Sequence, residues 1–209
     1  MRKTCLDTVY DLAKKDKKVL FIGSDLSPGV LDDFKKNIPE RFFMEGVSEQ
    51  SIIGLSAGLA LEGFKPYVNT IATFITRRCF EQIAIDLCLH KLPVKLIGNG
   101  GGRVYAPLGP THQAIEDISI LRTLPNMTIV VPCDAVEMKE LVKQTLNYEN
   151  PIYIRLARGG DKIITSSSEN IKLGKGILKI KPHEHLFITT GVMTQLAIEA
   201  SKRLEMEMN

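Results

Sequence analysis

Short, unbroken apolar runs alternate along this chain with longer segments of helical spacing, and that alternation constrains the fold more than any other feature. VLFIGSD (19–25), VKLIGN (94–99) and PIYIRLA (151–157) lack the polar–apolar alternation of a half-buried strand. They read as strands covered on both faces, as a parallel sheet requires. FKPYVNTIA (64–72) and MTIVVPCD (127–134) join them, and FFMEG (42–46) is strand-like. Helical patterns fill the gaps. Residues 3–16 space Leu6, Val9, Tyr10 and Ala13 along one face; 48–62, 74–91, 115–124 and 135–149 follow. The order predicts an α/β fold, a doubly wound, mainly parallel sheet flanked by helices.

Composition changes at GGDKIITSSSENIK (159–172), where paired glycines and three serines mark a linker. Residues 1–160 are thus expected to form one domain and 161–172 a linker. Residues 173–209 (GKGILKI, a strand LFITTG at 186–191, a helix at 192–207) are expected to be the start of a truncated second α/β domain. One strand pair and one helix cannot close a core alone. The 209 residues are 44% hydrophobic and 24% charged, a globular balance. A net charge of +3, with no basic stripe interleaved with aromatics, argues against nucleic acid. No apolar run is long enough to span a bilayer, and the first residues lack a signal-peptide core, so no membrane association is expected. Cys5, Cys79, Cys88 and Cys133 are far apart without a CxxC, as for buried free thiols in a reducing cytoplasm. The four histidines do not cluster as metal ligands.

Several residues could carry chemistry. Glu49 opens an apolar helix, with Ser48 as a potential cap and Ser51 where a capping box needs an acid or amide. The plain reading is charge complementarity with the helix dipole. Among Val47, Ile52 and Ile53, a carboxyl group could also hold or lend a proton. Gly63 should stop that helix. The rigid loop PLGPTHQ (107–113) presents His112 and Gln113 at the carboxyl end of a strand, where open α/β sheets place their sites. GNGGG (98–102) matches neither GxGxxG nor GxxxxGK[ST], and reads as a flexible loop rather than a phosphate cradle. Asp25 closes the first strand, Arg158 follows the strand at 151–157, and Arg2 opens the first helix. Singly these are ordinary surface charges; together they suit a phosphorylated, oxygen-rich ligand.

Three segments go beyond a generic α/β chain: 42–83 (FFMEGVSEQ…ATFITRRCFEQI), 109–137 (GPTHQAIEDISILRTLPNMTIVVPCDAVE) and 151–159 (PIYIRLARG). Together they resemble the pyrimidine-binding domain of the transketolase family of thiamine-diphosphate enzymes. That family includes deoxyxylulose-phosphate synthase and the beta chains of 2-oxo-acid dehydrogenase E1. The likeness runs from about residue 3 to 160, and ITTGVM resembles the start of the family's C-terminal domain. The resemblance implies that Glu49 is the glutamate that bonds N1′ of the cofactor's aminopyrimidine and so promotes removal of the thiazolium C2 proton. It implies that Phe74 stacks on that ring and that Arg77, one turn on, lines the cofactor or an interface. Ile71 replaces a second aromatic. His112 of THQ would contact substrate hydroxyls, Arg158 and Arg2 the sugar phosphate, and Asp25 of SDLSPG would lie near the thiazolium.

Two departures bear on substrate. Leu108 stands where the family's THQ motif follows a sugar-reading aspartate, and Gly29 replaces a serine of the SDLSPG segment. PLGPTHQ resembles the split, two-chain members. The Gly-Asp-Gly…Asn motif that holds Mg²⁺ and the diphosphate is absent from the sequence. The resemblance therefore implies an N-terminal, diphosphate-binding partner chain, without which this one is inactive. A homodimer of this chain inside a heterotetramer is expected, with the small-residue helix at 51–61 suited to close packing. The implied reaction is transfer of a two-carbon ketol unit between sugar phosphates. A deoxyxylulose-phosphate synthase-like or E1-beta-like subunit is the alternative enzyme. A truncated pyrimidine domain with an assembly role alone is the non-enzyme alternative.

Overall fold

The computed structural model describes residues 1–24, 29–166, 168–181 and 185–208. Six strands form one sheet: β1 (Val19–Gly23), β2 (Phe42–Met44), β3 (Lys65–Ile71), β4 (Lys95–Asn99), β5 (Thr128–Val130) and β6 (Ile152–Leu156). Their order is β2-β1-β3-β4-β6-β5, and every pairing is parallel. The chain winds outward from β1 to β2 and then returns to the other side of β1 with β3. The β1/β3 junction is therefore a topological switch point, where the crevice at the carboxyl ends of the strands opens.

Both faces of the sheet are covered, which is why β1 and β4 are buried at every position. One face packs Phe21, Tyr67, Ile97 and Ile154 against α1 (Arg2–Lys15), α2 (Asp32–Asn37) and α7 (Ala135–Thr145). The other packs Ile22, Val68, Leu96 and Tyr153 against α3 (Glu49–Leu61), α4 (Ala72–Thr76), α5 (Phe80–Gln82) and the π-helix that continues it (Ile83–Leu89). A short α6 (Asp117–Leu121) completes this layer. Gly63, at φ +85°, ends α3: its N–H donates to Ala60 and that of Phe64 to Leu59. These two bonds use carbonyls that the helix leaves free, in the conformation glycine adopts at least cost.

Sequence periodicity predicts one helix over 74–91. The structure instead has α4 starting at Ala72, a turn over 77–79, and α5 running into the π-helix. Ile75, Cys79, Ile83 and Leu87 are all fully buried, a strict four-residue repeat. Such a repeat rotates about 40° per step around an α-helix. A turn and wider π turns keep it facing the sheet. The predicted helix at 115–124 shortens to α6, although Ile120 and Leu124 still pack against the core.

Ile164, Thr165 and Ile171, in the segment that follows β6, are tied to the two ends of α7. Asp134 caps α7 with one carboxylate oxygen, accepting from Val136 and Glu137, and with the other accepts from Ile164 and Thr165. Gln144 holds Ile171 and Leu173. Beyond them, α8 (Met193–Met208) forms as expected, but GKGILKI and the predicted strand LFITTG make no ladder among the described residues. A strand needs a hydrogen-bonded neighbour, and neither segment finds one; Leu186, Phe187 and Ile188 remain exposed. All four cysteines are free and buried, and burial pushes the Cys5, Cys79 and Cys133 thiols up to about 12. Among the described residues no helix is long and apolar enough to cross a membrane.

The amino end of β4 holds a buried amine. Lys95 is fully buried, donates to the Pro93 carbonyl at 2.6 Å and faces the Tyr67 ring at 5.7 Å. Burial, with Lys65 nearby, pushes its amine down to about 7 against the weaker pull of Asp16. The unfolded chain therefore binds more protons than the native one above pH 7, and stability rises with pH from there. We expect a gain of about 2 kcal/mol between pH 7 and pH 9. Lys95→Met should be more stable at pH 7 and lack that rise. Urea melts at the two pH values check this.

Candidate active site

The switch point gathers side chains from β1, β3, α3 and α4. Glu49 is the first residue of α3 and is 4% exposed. Ser48 precedes it but does not cap with its side chain; its hydroxyl donates to the Glu45 carbonyl. The Glu49 carboxylate is held from two sides. Arg78 donates to Oε2 at 2.9 Å. The Ser24 hydroxyl, just past β1, lies 3.4 Å from Oε1 and 2.7 Å from Thr70 Oγ1 on β3. One hydroxyl proton serves one of those two acceptors at a time, so the arginine is the main compensation for the buried charge.

Phe74, inside α4, turns its ring toward the loop after β4. The His112 ring meets it edge-on, 5.1 Å between centroids and 65° between planes. His112 Nδ1 lies 2.9 Å from the Thr111 hydroxyl. Arg77 ties the loop to α4: Nη2 donates to the Pro110 carbonyl, and Nε lies 2.9 Å from Glu116 Oε1 and 2.8 Å from Thr73 Oγ1. A cleft of about 380 Å³ lies between Thr73, Phe74, Arg77, Arg78, Pro110 and Thr111. Glu49, Phe74, Arg77 and His112 thus converge at one end of the sheet, three of them around or beside this cleft and Glu49 beneath it through Arg78.

Arg2 and Arg158 lie elsewhere on the same edge. Arg158 is exposed beyond β6, and a Cβ on Gly159 would come within 3.9 Å of the Met1 nitrogen. The start of α1 therefore sits at the exit of β6, two strands or about 10 Å from β3. Arg2 Nε is buried there without a hydrogen-bond partner. Asp25 lies outside the described residues. Leu108 is exposed at the end of a short 3₁₀ turn, and Gly29 adopts φ +79°.

The glycine-rich loop is ordered by packing. Gly100 and Gly101 N–H both donate to the Leu156 carbonyl, and Gly102 pairs with Ala114 in an antiparallel bridge. Those donors are spent on the protein, so the loop is neither a free tether nor a phosphate cradle. Its purpose is room for a buried network that sequence reasoning missed. Asp117, 1% exposed, accepts from Tyr153 and from Arg155 Nε, both at 2.7 Å, while Arg155 Nη2 reaches the Ala114 carbonyl. Burial and the adjacent Asp117 push the Tyr153 phenol well above its ordinary value. A Cβ on Gly101 would lie 2.4 Å from Arg155 Nε. Gly101→Ala is expected to cost about 1–3 kcal/mol by overpacking, read in a thermal melt.

Arg78, Ser24 and Thr70 were also missed as site residues. Arg78 follows Phe74 by four residues, a spacing that sequence could have flagged, and the turn after α4 brings its guanidinium over the ring. Tyr153 and Arg155 are two apart on a strand and so share one face. Ser24 and Thr70 carry no sequence signal; only the β1–β3 pairing brings them together. Among the described residues no His, Cys, Asp and Glu cluster could hold a metal.

Known proteins resemble this chain along the same lines. Residues 1–160 match the family model for the transketolase pyrimidine-binding domain. One of the subunits of the apulose-4-phosphate transketolase of Phocaeicola vulgatus is 42% identical over 158 residues, 75% of this chain and 51% of that one. The 1-deoxy-D-xylulose-5-phosphate synthase of Clostridium kluyveri is 35% identical over 200 residues, 95% of this chain and 32% of that one. The chain therefore spans a third to a half of these relatives. A solved structure described as a split gene transketolase, inactive beta4 tetramer, superposes with a TM-score of 0.89 at 36% identity. It covers 99% of this chain and 67% of its own. A Pichia stipitis transketolase at 21% identity and TM-score 0.66 shares the fold.

Proposed function

Because this chain belongs to the transketolase family through its pyrimidine-binding domain, we propose that it is the C-terminal subunit of a split, thiamine-diphosphate-dependent enzyme. Its reaction is transfer of a two-carbon ketol unit between sugar phosphates, in the cytoplasm. One observation carries this reading: a nearly buried carboxylate, Glu49, lies at the switch point below an aromatic face, Phe74, with a histidine edge against that face. These residues fit an aminopyrimidine. The carboxylate offers an acceptor, and the planar guanidinium of Arg78 already spans from it to the ring. When bound, the cofactor supplies the carbon nucleophile and the electron sink.

The chain's own groups do the rest. Glu49 accepts a hydrogen bond at N1′ and so fixes the ring's protonation. Phe74 orients the ring by stacking. Arg77 holds the THQ loop so that His112 faces substrate oxygens, where an imidazole can donate or accept a proton. Arg158 and Arg2, about two strands away along the edge, suit the far phosphate of an extended sugar. The role of Asp25 near the thiazolium rests on the sequence. Leu108 and Gly29 remove two polar contacts, which favours a substrate poorer in hydroxyls at those positions.

We infer that a partner chain supplies Mg²⁺ and diphosphate binding; support comes from the likeness to one subunit of the apulose-4-phosphate transketolase and to a split gene transketolase. A homodimer within a heterotetramer would use the exposed face of α3, where Gly54 and Gly58 leave room for close approach and Leu55 and Leu61 are uncovered. Residues 173–209 are proposed as part of a C-terminal domain after a linker at 161–172. Support comes from the uncovered Leu186, Phe187 and Ile188 along a groove of about 1040 Å³ beside α8. The test is reconstitution: this chain, a diphosphate-binding partner, thiamine diphosphate and Mg²⁺ should transfer a ketol unit from a ketose phosphate to an aldose phosphate. The long match to deoxyxylulose-phosphate synthase supports a second reading. Turnover that starts from pyruvate instead of a ketose phosphate would select it.

A further inference from the structure

Arg78 makes two contacts at once. Nη1 donates to Glu49 Oε2 at 2.9 Å, and Cζ lies 3.9 Å from the centroid of the Phe74 ring. A flat, cationic N–C–N group thus covers the aromatic face and bonds the buried carboxylate. An aminopyrimidine carries the same flat N–C–N edge and would need the same two surfaces. Both cannot be there together. Resting on the function proposed above, we propose that Arg78 is a self-occluding side chain that fills the aminopyrimidine site until the ring displaces it.

The surroundings favour a movable plug over a fixed strut. Neighbouring Arg77 is committed to Thr73, Pro110 and Glu116. Arg78 has hydrogen-bond and ring contacts only with Glu49 and Phe74 among the described residues, and its side chain is 45% exposed. It can swing into solvent without breaking anything else. The exchange also keeps Glu49 compensated throughout. A buried carboxylate stripped of its partner is costly, and the hydroxyl of Ser24, shared with Thr70, is a weak substitute. Arg78 compensates the charge while it lies on the ring of Phe74, and a proton taken up from water and shared between Glu49 and N1′ takes over as the arginine leaves. The apparent affinity for the ring is then lowered by the fraction of time that the site stays closed.

The experiment uses the 209-residue chain and 4-amino-2-methylpyrimidine, an uncharged probe of the ring alone. Binding is followed by NMR of ring-labelled phenylalanine, with Phe74→Leu assigning the Phe74 signal and Glu49→Gln as a site control. Arg78→Ala is expected to bind the probe about 10-fold more tightly than the wild type, as for a site closed roughly nine-tenths of the time. Arg78→Lys, which keeps the charge and loses the planar group, should fall between them. In the wild type the probe should also move the Arg78 Nε–H signal to its solvent-exposed position. Equal or weaker binding by Arg78→Ala, with Phe74 still responding, overturns the plug and leaves the cofactor reading intact. No response of Phe74 in any variant overturns both.

Discussion

Glu49→Gln should reduce turnover of the reconstituted enzyme by about 10³-fold, within the range for losing a positioned acid–base group. Glutamine keeps the size and one acceptor but cannot take or hold the proton that the carboxylate manages at N1′. The change sits at the first residue of α3, where the helix dipole prefers the anion, so a small stability loss of about 0.3–1 kcal/mol should accompany it. The two effects separate cleanly. Circular dichroism should show an almost unchanged melt, while a coupled ketol-transfer assay should show near-complete loss. Wild-type turnover in this variant would remove Glu49 from the chemistry.

Arg155→Met should produce the largest loss of stability, about 3–5 kcal/mol, because it leaves a buried charge without its partner. Asp117 is 1% exposed, and its Oδ1 has no hydrogen-bond partner. All of its compensation arrives at Oδ2, from Tyr153 and Arg155. Removing the guanidinium also opens space beside Gly101, which lies against it. A melting point lower by about 10 °C is the expected reading for a chain of this size. Adding Asp117→Asn to Arg155→Met should restore part of that loss, since the second change removes the orphaned charge. A double variant no better than the single one would show that packing, rather than charge, sets the cost.

The strands were legible because a parallel sheet buries both faces, and runs such as VLFIG and IYIRL announce this directly. The one long helix was misread because the four-residue repeat of Ile75, Cys79, Ile83 and Leu87 passes for α-helical over a short window. LFITTG was misread because a strand is a property of a pair, and this segment pairs with no strand among the described residues. In the site, Glu49 and His112 stand out by residue type and position, whereas Phe74 reads as core and is singled out only by the family resemblance. The groups that support them do not. Thr70 and Ser24 are ordinary polar residues until β1 pairs with β3. Arg155 looks like a solvent-facing charge until α6 brings Asp117 against it. Arg78 reads as a second surface arginine, and only its place over Phe74 gives it a role.

The claim that this chain is the pyrimidine half of a two-chain enzyme is tested most directly by recovering it, tagged, from its native cells. Whatever copurifies in equal amount is identified by mass spectrometry, with thiamine diphosphate and Mg²⁺ present throughout. The predicted result is a second chain carrying the Gly-Asp-Gly…Asn diphosphate motif, in a complex that transfers ketol units and loses that activity with Glu49→Gln. Recovery of this chain alone under those conditions would contradict the account and favour a domain with an assembly role only.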